Sequence, residues 1–122
     1  MQTLADPIPL AEIRAARERI AGTVLHSPLI RLNVDNAPAE IYLKLENLQP
    51  IGSFKLRGAG NAILLAPPEQ LKAGVYTASA GNMAQGVAWH ARRLGIPCTV
   101  IVPDDAPQTK LDAITRLGGQ II

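Results

Sequence analysis

The first pattern along the chain is helical. After Pro9, which favours the first turn of a helix, one face repeats at helical spacing, and its members are Leu10, Ile13, Arg17 and Ile20. Gly22 follows where a helix of this length would end, so we expect it to cap the C-terminus. The pattern predicts a helix that packs against the rest of the protein along this face.

Two short apolar segments come next, Pro28 to Leu32 and Ile41 to Leu45, on either side of the turn-rich residues 33–38. Apolar runs of this length, bounded by turn residues, are typical of strands. Ser53 then stands where it can cap a helix, which the pattern extends to about Leu65, before two prolines stop it.

Strand and helix alternate regularly after Gly74. Val75 to Ser79 and Cys98 to Val102 are predicted strands, and Asn82 to Leu94 between them is a predicted helix. One face of this helix carries mostly small apolar residues, which suit close packing on a parallel sheet: Ala84, Val87, Ala88, Ala91 and Leu94. The pattern predicts an α/β fold with a right-handed, doubly wound parallel sheet.

A further helix is predicted from about Gln108 to Leu117, with its apolar side chains turned inward: Leu111, Ile114 and Leu117. Two glycines then lead into the apolar end of the chain, where another strand begins. Because the sequence stops in mid-pattern, we expect the sheet to be incomplete.

Charge and composition argue against nucleic-acid binding, a membrane span and a signal peptide. The 122 residues include 12 basic and 10 acidic side chains, and the basic ones are dispersed, so the sequence does not favour nucleic-acid binding. No apolar stretch approaches the roughly 20 residues that a membrane span needs. Met1 to Pro9 also lacks the basic start and apolar core of a signal peptide.

The cysteine and the histidines offer little chemistry of their own. Cys98 is the single cysteine and lies in an apolar run, which indicates a buried thiol in a reducing, cytoplasmic setting. His26 and His90 have no cysteine or carboxylate cluster at metal-ligand spacing, so we expect no metal site. We expect His90 on the exposed side of its helix.

The segment GSFKLRGAG, residues 52–60, places Lys55 in the first turn of a predicted helix. The positive end of the helix dipole there favours the neutral amine, which is the form that attacks a carbonyl to make a Schiff base. Phe54 adds an aromatic surface. The alternative is an ordinary helix start, with Lys55 and Arg57 in water.

A second loop, SAGNMAQG, covers Ser79 to Gly86 at the carboxyl edge of the predicted sheet, where ligands bind in such folds. Unpaired N–H groups at the following helix N-terminus suit an anion, so Ser79, Gly81 and Asn82 could hold a carboxylate or a phenolate. The alternative is a glycine-containing turn that Asn82 caps.

Taken together, these loops belong to a longer pattern. The chain resembles the pyridoxal-phosphate enzymes of fold type II, which have the tryptophan synthase beta-like fold, and within them the threonine and serine ammonia-lyase (dehydratase) branch, which includes serine racemase. The resemblance rests on four segments in register: HSPLIRL at 26–32, YLKLENLQPIGSFKLRGA at 42–59, TASAGNMAQGVA at 77–88 and VPDDAPQTKLDAI at 102–114.

This resemblance implies a role for each matching residue. Lys55 corresponds to the lysine that binds the cofactor covalently and later shuttles the substrate's alpha proton, and Phe54 to a residue that packs on the cofactor ring. Asn82 corresponds to the asparagine that contacts the cofactor's phenolic oxygen. The substrate carboxylate is expected in the loop formed by Ser79, Ala80, Gly81, Asn82 and Met83. The implied reaction is loss of the beta hydroxyl and release of a 2-oxo acid and ammonia.

Two positions depart from the family pattern. Ala80 stands where racemizing relatives carry a serine, and a methyl group cannot exchange a proton, so racemization is disfavoured. Met83 stands where many relatives have histidine, which leaves open which hydroxy amino acid fits. Beta replacement ranks second, because sulfhydrylase and cystathionine synthase relatives usually carry S-V-K-D-R and T-S-G-N-T-G at these loops.

The resemblance also implies that the chain is part of a larger enzyme. Residues 1–45 would belong to the larger domain and residues 46–122 to part of the smaller one, while the phosphate-binding loop and the partner of the pyridine nitrogen would lie downstream. We expect the complete protein to act on a small hydroxy amino acid as a homo-oligomer. The alternative is a non-catalytic module that binds a partner through an exposed sheet edge.

Overall fold

The computed structural model describes residues 7–122, so the sequence prediction for Met1 to Pro9 falls mostly outside this range. The helices are α1 (Leu10–Ile20), α2 (Lys55–Leu65), α3 (Pro68–Leu71), α4 (Asn82–Leu94) and α5 (Gln108–Arg116), and a 3₁₀ turn covers Glu46–Leu48. The strands are β1 (Leu29–Arg31), β2 (Tyr42–Lys44), β3 (Val75–Ala78), β4 (Cys98–Ile101) and β5 (Gln120–Ile121). None of the described helices is long and apolar enough to cross a membrane.

The predicted parallel sheet is present, in the order β3-β4-β5. Val75 pairs with Cys98 at the start of β3 and β4, and Thr99 pairs with Gln120 on the other side of β4. Helix α4 connects β3 to β4, and α5 connects β4 to β5, so the fold class predicted from the alternation of elements is confirmed.

The core lies where α4 meets the sheet. Four of the five predicted packing residues of α4 are buried, while Leu94 is 44% exposed at the helix end. Val100 of β4 and Ile114 of α5 are completely buried in the same cluster. Cys98 is buried there too, and desolvation raises the pKa of its thiol, as suits a packing residue.

Helix α1 departs from its predicted packing. Ile20 is buried, but Leu10 and Ile13 are both more than half exposed. The helix also ends without the predicted glycine cap, because Ala21 takes the C-cap position in a right-handed conformation and Gly22 does not adopt positive φ. The face predicted to be packed is therefore buried only in its last turn.

The expected exposure of His90 is wrong. Its side chain is only 2% exposed, and its Nε2 lies 2.9 Å from the backbone carbonyl oxygen of Leu56 in α2. Desolvation lowers the pKa of His90, which favours the neutral ring that donates Nε2–H to this carbonyl. The physical reason is that α4 is covered on two sides, by the sheet and by α2, whereas the sequence pattern indicated only the first.

Candidate active site

Lys55 is the first residue of α2, directly after a tight turn. Gly52 adopts φ +67° in this turn and donates its N–H to the Gln49 carbonyl at 2.7 Å. Phe54 occupies the N-cap position that the sequence assigned to Ser53, but the buried Ser53 still accepts the Lys55 N–H through its Oγ at 3.2 Å. The helix start is thus displaced by only one residue from the prediction.

The amine of Lys55 is available for chemistry. Its Nζ lies 5.2 Å from the centroid of the Phe54 ring, and this ring is 60% exposed. Within residues 7–122, Lys55 Nζ takes part in no hydrogen bond or ion pair. A primary amine beside an exposed aromatic face can react with an aldehyde on a planar ligand.

The second loop joins β3 to α4. The N–H of Ser79 donates to the Ile101 carbonyl at 3.0 Å and extends the sheet, while its Oγ accepts the Gly81 N–H at 3.1 Å. Gly81 is the N-cap residue of α4, and no side chain caps this helix, so the alternative in which Asn82 caps the turn is wrong. Asn82 is the exposed first residue of α4, and its side-chain amide does not cap the helix.

Ala80 and Met83 have different surroundings. Ala80 is half-buried in the loop. Met83 packs against the core and, with Gly58, lines an apolar cleft of about 260 Å³ between α2, α4 and β3. The Met83 side chain therefore lies at a cleft that the helix carrying Lys55 also lines, and its role as a substrate contact stays a prediction.

Helix α2 packs against α4, so the two helices that follow the candidate loops are neighbours. Gly86 of α4 lies so close to α2 that a Cβ there would stand 3.3 Å from the Lys55 carbonyl oxygen and 3.2 Å from Ala59 Cβ. One turn later, His90 bonds to the Leu56 carbonyl. The first turn of α2 thus lies against the second turn of α4. At the start of α4, the first N–H groups have no partner within the helix, and the positive end of the helix dipole lies there.

Arg57 is not a solvated charge, contrary to the alternative drawn from the sequence. Its Nε and Nη2 each donate to a different oxygen of Glu46 at 2.8 Å, in a two-bond pairing. Hydrogen bonding to Arg57 is the main reason that the pKa of Glu46 falls to about 2. Sequence reasoning missed this pair because its members are 11 residues apart across the 3₁₀ turn, beyond the spacing at which a helix pairs side chains.

These residues fit the cofactor that the resemblance implies. Lys55 supplies an unpaired amine for an aldehyde, Phe54 an exposed ring edge or face, and Asn82 an amide that can donate to a phenolic oxygen.

Within residues 7–122, no group of three or more His, Cys, Asp or Glu side chains is arranged to hold a metal ion.

Comparison with known proteins agrees with this chemistry. Residues 20–122 match the family model described as pyridoxal-phosphate dependent enzyme. The chain is 44% identical to L-threonine ammonia-lyase of Thermotoga maritima over 94% of its own length and 29% of the relative, and 42% identical to the catabolic L-threonine dehydratase of Staphylococcus aureus over 97% and 35%.

A solved structure shows the same likeness. Maize serine racemase superimposes with a TM-score of 0.86 at 37% identity, over 93% of this chain and 35% of that one. The chain therefore spans about a third of the length of these relatives. The matched family model covers most of the chain, and we conclude that it belongs to the pyridoxal-phosphate-dependent enzymes of fold type II.

Proposed function

We propose that this chain forms part of an ammonia-lyase that converts threonine or serine to a 2-oxo acid and ammonia. The observation that carries the proposal is the free amine of Lys55 at the start of α2, a helix that packs against α4, which begins with the exposed Asn82. Relatives named L-threonine ammonia-lyase and L-threonine dehydratase support the choice of reaction.

The chain's own residues have distinct roles in this proposal. Pyridoxal phosphate, when bound, supplies an electron sink for the charge that develops at the substrate's alpha carbon. Lys55 would hold the cofactor through its Nζ and would accept the alpha proton of the substrate at the same atom. Phe54 packs on the ring, and Asn82 donates its amide N–H to the phenolic oxygen.

The loop from Ser79 to Met83 binds the substrate carboxylate. The N–H groups at the start of α4 have no partner within the helix, and the dipole there favours an anion. Gly81 permits the carboxylate to approach the backbone closely. Binding of the carboxylate would orient the alpha hydrogen toward Lys55 on the neighbouring helix α2.

Racemization is a further candidate, because a serine racemase is among the similar structures. Ala80 argues against it, since its methyl group can neither donate nor accept a proton on the opposite face of the substrate. Beta replacement ranks below elimination on the loop sequences. A non-catalytic module that pairs through a free sheet edge would need no cofactor, and β5 is at one edge of the described sheet.

The proposal extends to the complete protein. Residues 1–45 would join the larger domain and residues 46–122 would form part of the smaller one. The complete protein would bind a small hydroxy amino acid, assemble as a homo-oligomer and work in the cytoplasm.

The direct test is formation of a 2-oxo acid by the complete protein from L-threonine and from L-serine. Lys55→Ala is expected to lower kcat by at least about 10²–10⁴-fold, the range for loss of a positioned acid-base group. Lys110→Ala, which removes an exposed lysine of α5, is the matched control and should leave the rate unchanged. Undiminished activity in Lys55→Ala would refute the assignment.

A further inference from the structure

The turn that carries Lys55 is held by a network centred on the Glu46 carboxylate. This carboxylate accepts two hydrogen bonds from Arg57, one from the hydroxyl of Ser27, and a longer one of 3.4 Å from the amide of Gln49. The Glu46 side chain is only 15% exposed and Arg57 31%, so water competes weakly for these bonds.

The network joins three segments that are distant in sequence. Arg57 Nη2 also donates to the Leu25 carbonyl at 3.0 Å. The Gln49 amide bonds to the same residue twice, donating to its carbonyl at 2.8 Å and accepting its N–H at 2.9 Å. The segment before β1, the 3₁₀ turn and the start of α2 are therefore fastened to one another.

Lys55 lies between two of these fastened points. Gln49 anchors the beginning of the turn, and Arg57 anchors the first turn of α2, two residues after Lys55. Side chains two residues apart on a helix point in nearly opposite directions, about 200° apart. The Arg57–Glu46 pair therefore holds the face of α2 opposite Lys55, and the Lys55 amine projects from the other face.

We propose that Arg57 is a positioning residue, which fixes the turn at residues 49–54 through its two-bond pairing with Glu46 and so directs the Lys55 amine toward the cofactor. This inference rests on the proposed function for the identity of the ligand. The fastening of the turn itself does not, so the two can be tested separately.

The first measurement is amide hydrogen exchange of the complete protein, which needs no added cofactor. In Arg57→Met, the N–H groups of Gly52 and Lys55 are expected to exchange at least about tenfold faster, because loss of a charged hydrogen bond raises local opening by at least that factor. Arg57→Lys keeps the charge but not the two-bond geometry, and should show a smaller increase.

A matched control exists in the Arg31–Glu40 pair, which is 3.3 Å apart and about two-thirds exposed. Arg31→Met removes an arginine from an ion pair far along the chain from Lys55, and should leave exchange at Gly52 and Lys55 unchanged. Equal exchange in Arg57→Met and wild type would overturn the proposal. A uniform increase in exchange rate that includes the amides of β4 would also overturn it, since Arg57 would then stabilise the whole fold and not this turn in particular.

The second measurement is reductive labelling of lysines with pyridoxal phosphate and borohydride, followed by peptide mass spectrometry. Labelling of each lysine is expressed relative to that of the exposed Lys110. In wild type, this ratio should be higher for Lys55 than for the other lysines. It should fall about tenfold or more in Glu46→Gln and in Arg57→Met. Arg31→Met should keep the wild-type ratio.

The outcomes separate the two hypotheses. A Lys55 preference that survives Glu46→Gln and Arg57→Met would overturn the positioning role and leave the proposed function intact. No Lys55 preference in wild type would count against the proposed function, while the hydrogen-exchange result would still decide whether Arg57 fixes the turn.

Discussion

At the scale of single residues, two glycines of α2 have opposite surroundings. A Cβ at Gly60 would stand 2.5 Å from Cε1 and Nε2 of His90, whereas a Cβ at Gly58 would meet nothing within 4 Å. Gly60 therefore makes room for the buried His90 ring and its bond to Leu56, and Gly58 does not restrict packing in the described chain.

We predict that Gly60→Ala lowers the free energy of unfolding by about 1–3 kcal/mol, the usual cost of overpacking. Gly58→Ala should instead raise it by about 0.5–1 kcal/mol, because alanine is the better helix former. Urea unfolding of the two variants measures this difference. Equal effects would contradict the close packing of α2 on His90.

Ala80 is the residue on which the choice between elimination and racemization depends. We predict that the complete protein forms little D-serine from L-serine, and that Ala80→Ser raises this by about tenfold or more, a part of the 10²–10⁴-fold that a placed acid-base group contributes. Chiral chromatography of the amino acid measures it. Ala78→Ser, at the exposed end of β3, is the control.

Residues also mark the limits of prediction from the sequence. Lys55 and Asn82 were assigned to helix starts, and they are the first residues of α2 and α4. The exposure of His90 was predicted wrongly and the ion pair of Arg57 was not predicted, because their partners, Leu56 and Glu46, lie 34 and 11 residues away. Local spacing indicates which face of a helix is apolar, but not which second helix will cover the other face.

At the scale of elements, the entry into β3 depends on a close backbone approach. Gly74 adopts φ +93°, and a Cβ there would stand 2.5 Å from the Pro97 carbonyl oxygen. The N–H of Val75 donates to this same carbonyl at 2.9 Å and so begins the pairing of β3 with β4. The glycine in the sequence indicated a turn before β3. Its close approach to Pro97 could not be predicted, because it depends on the register of β3 with β4.

We predict that Gly74→Ala lowers the free energy of unfolding by about 2–4 kcal/mol, from backbone strain and the clash together. Gly95→Ala is the matched control, because Gly95 also has positive φ, of 68°, but nothing within 4 Å of its Cβ position. It should cost only about 1 kcal/mol. A similar cost at both glycines would contradict the close approach to Pro97.

The network that fastens α2 to the 3₁₀ turn should make stability depend on pH. The pKa of Glu46 is lowered from 4.5 to about 2, so its contribution is complete above pH 4.5 and is lost as the pH falls toward 2. We predict that wild type exceeds Glu46→Gln by about 2–3 kcal/mol at pH 7 and that the gap closes toward pH 2.

Unfolding in urea at pH 7, 4 and 2.5 checks this prediction. The difference between wild type and Glu46→Gln isolates Glu46 from the other carboxylates, which titrate in both proteins. A gap that stays constant across this range would show that the Glu46 carboxylate is not held by Arg57.

At the scale of the whole molecule, the described chain is one α/β unit with many uncovered apolar side chains. Leu10, Ile13, Leu29 and Tyr42 are each more than half exposed. Strands β1 and β2 form a separate antiparallel pair. Alternation of strand and helix predicted the parallel sheet, but the sequence could not predict how little of α1 and of this pair is buried. Their periodicity shows only which side chains are apolar, and burial needs a partner surface.

The most direct test is the visible absorbance that forms when the complete protein is titrated with pyridoxal phosphate, compared between wild type and Lys55→Ala, with Lys110→Ala as the control. We predict a saturable band in wild type and in Lys110→Ala that Lys55→Ala lacks. Equal absorbance in wild type and Lys55→Ala would contradict the assignment of Lys55 as the lysine that binds the cofactor.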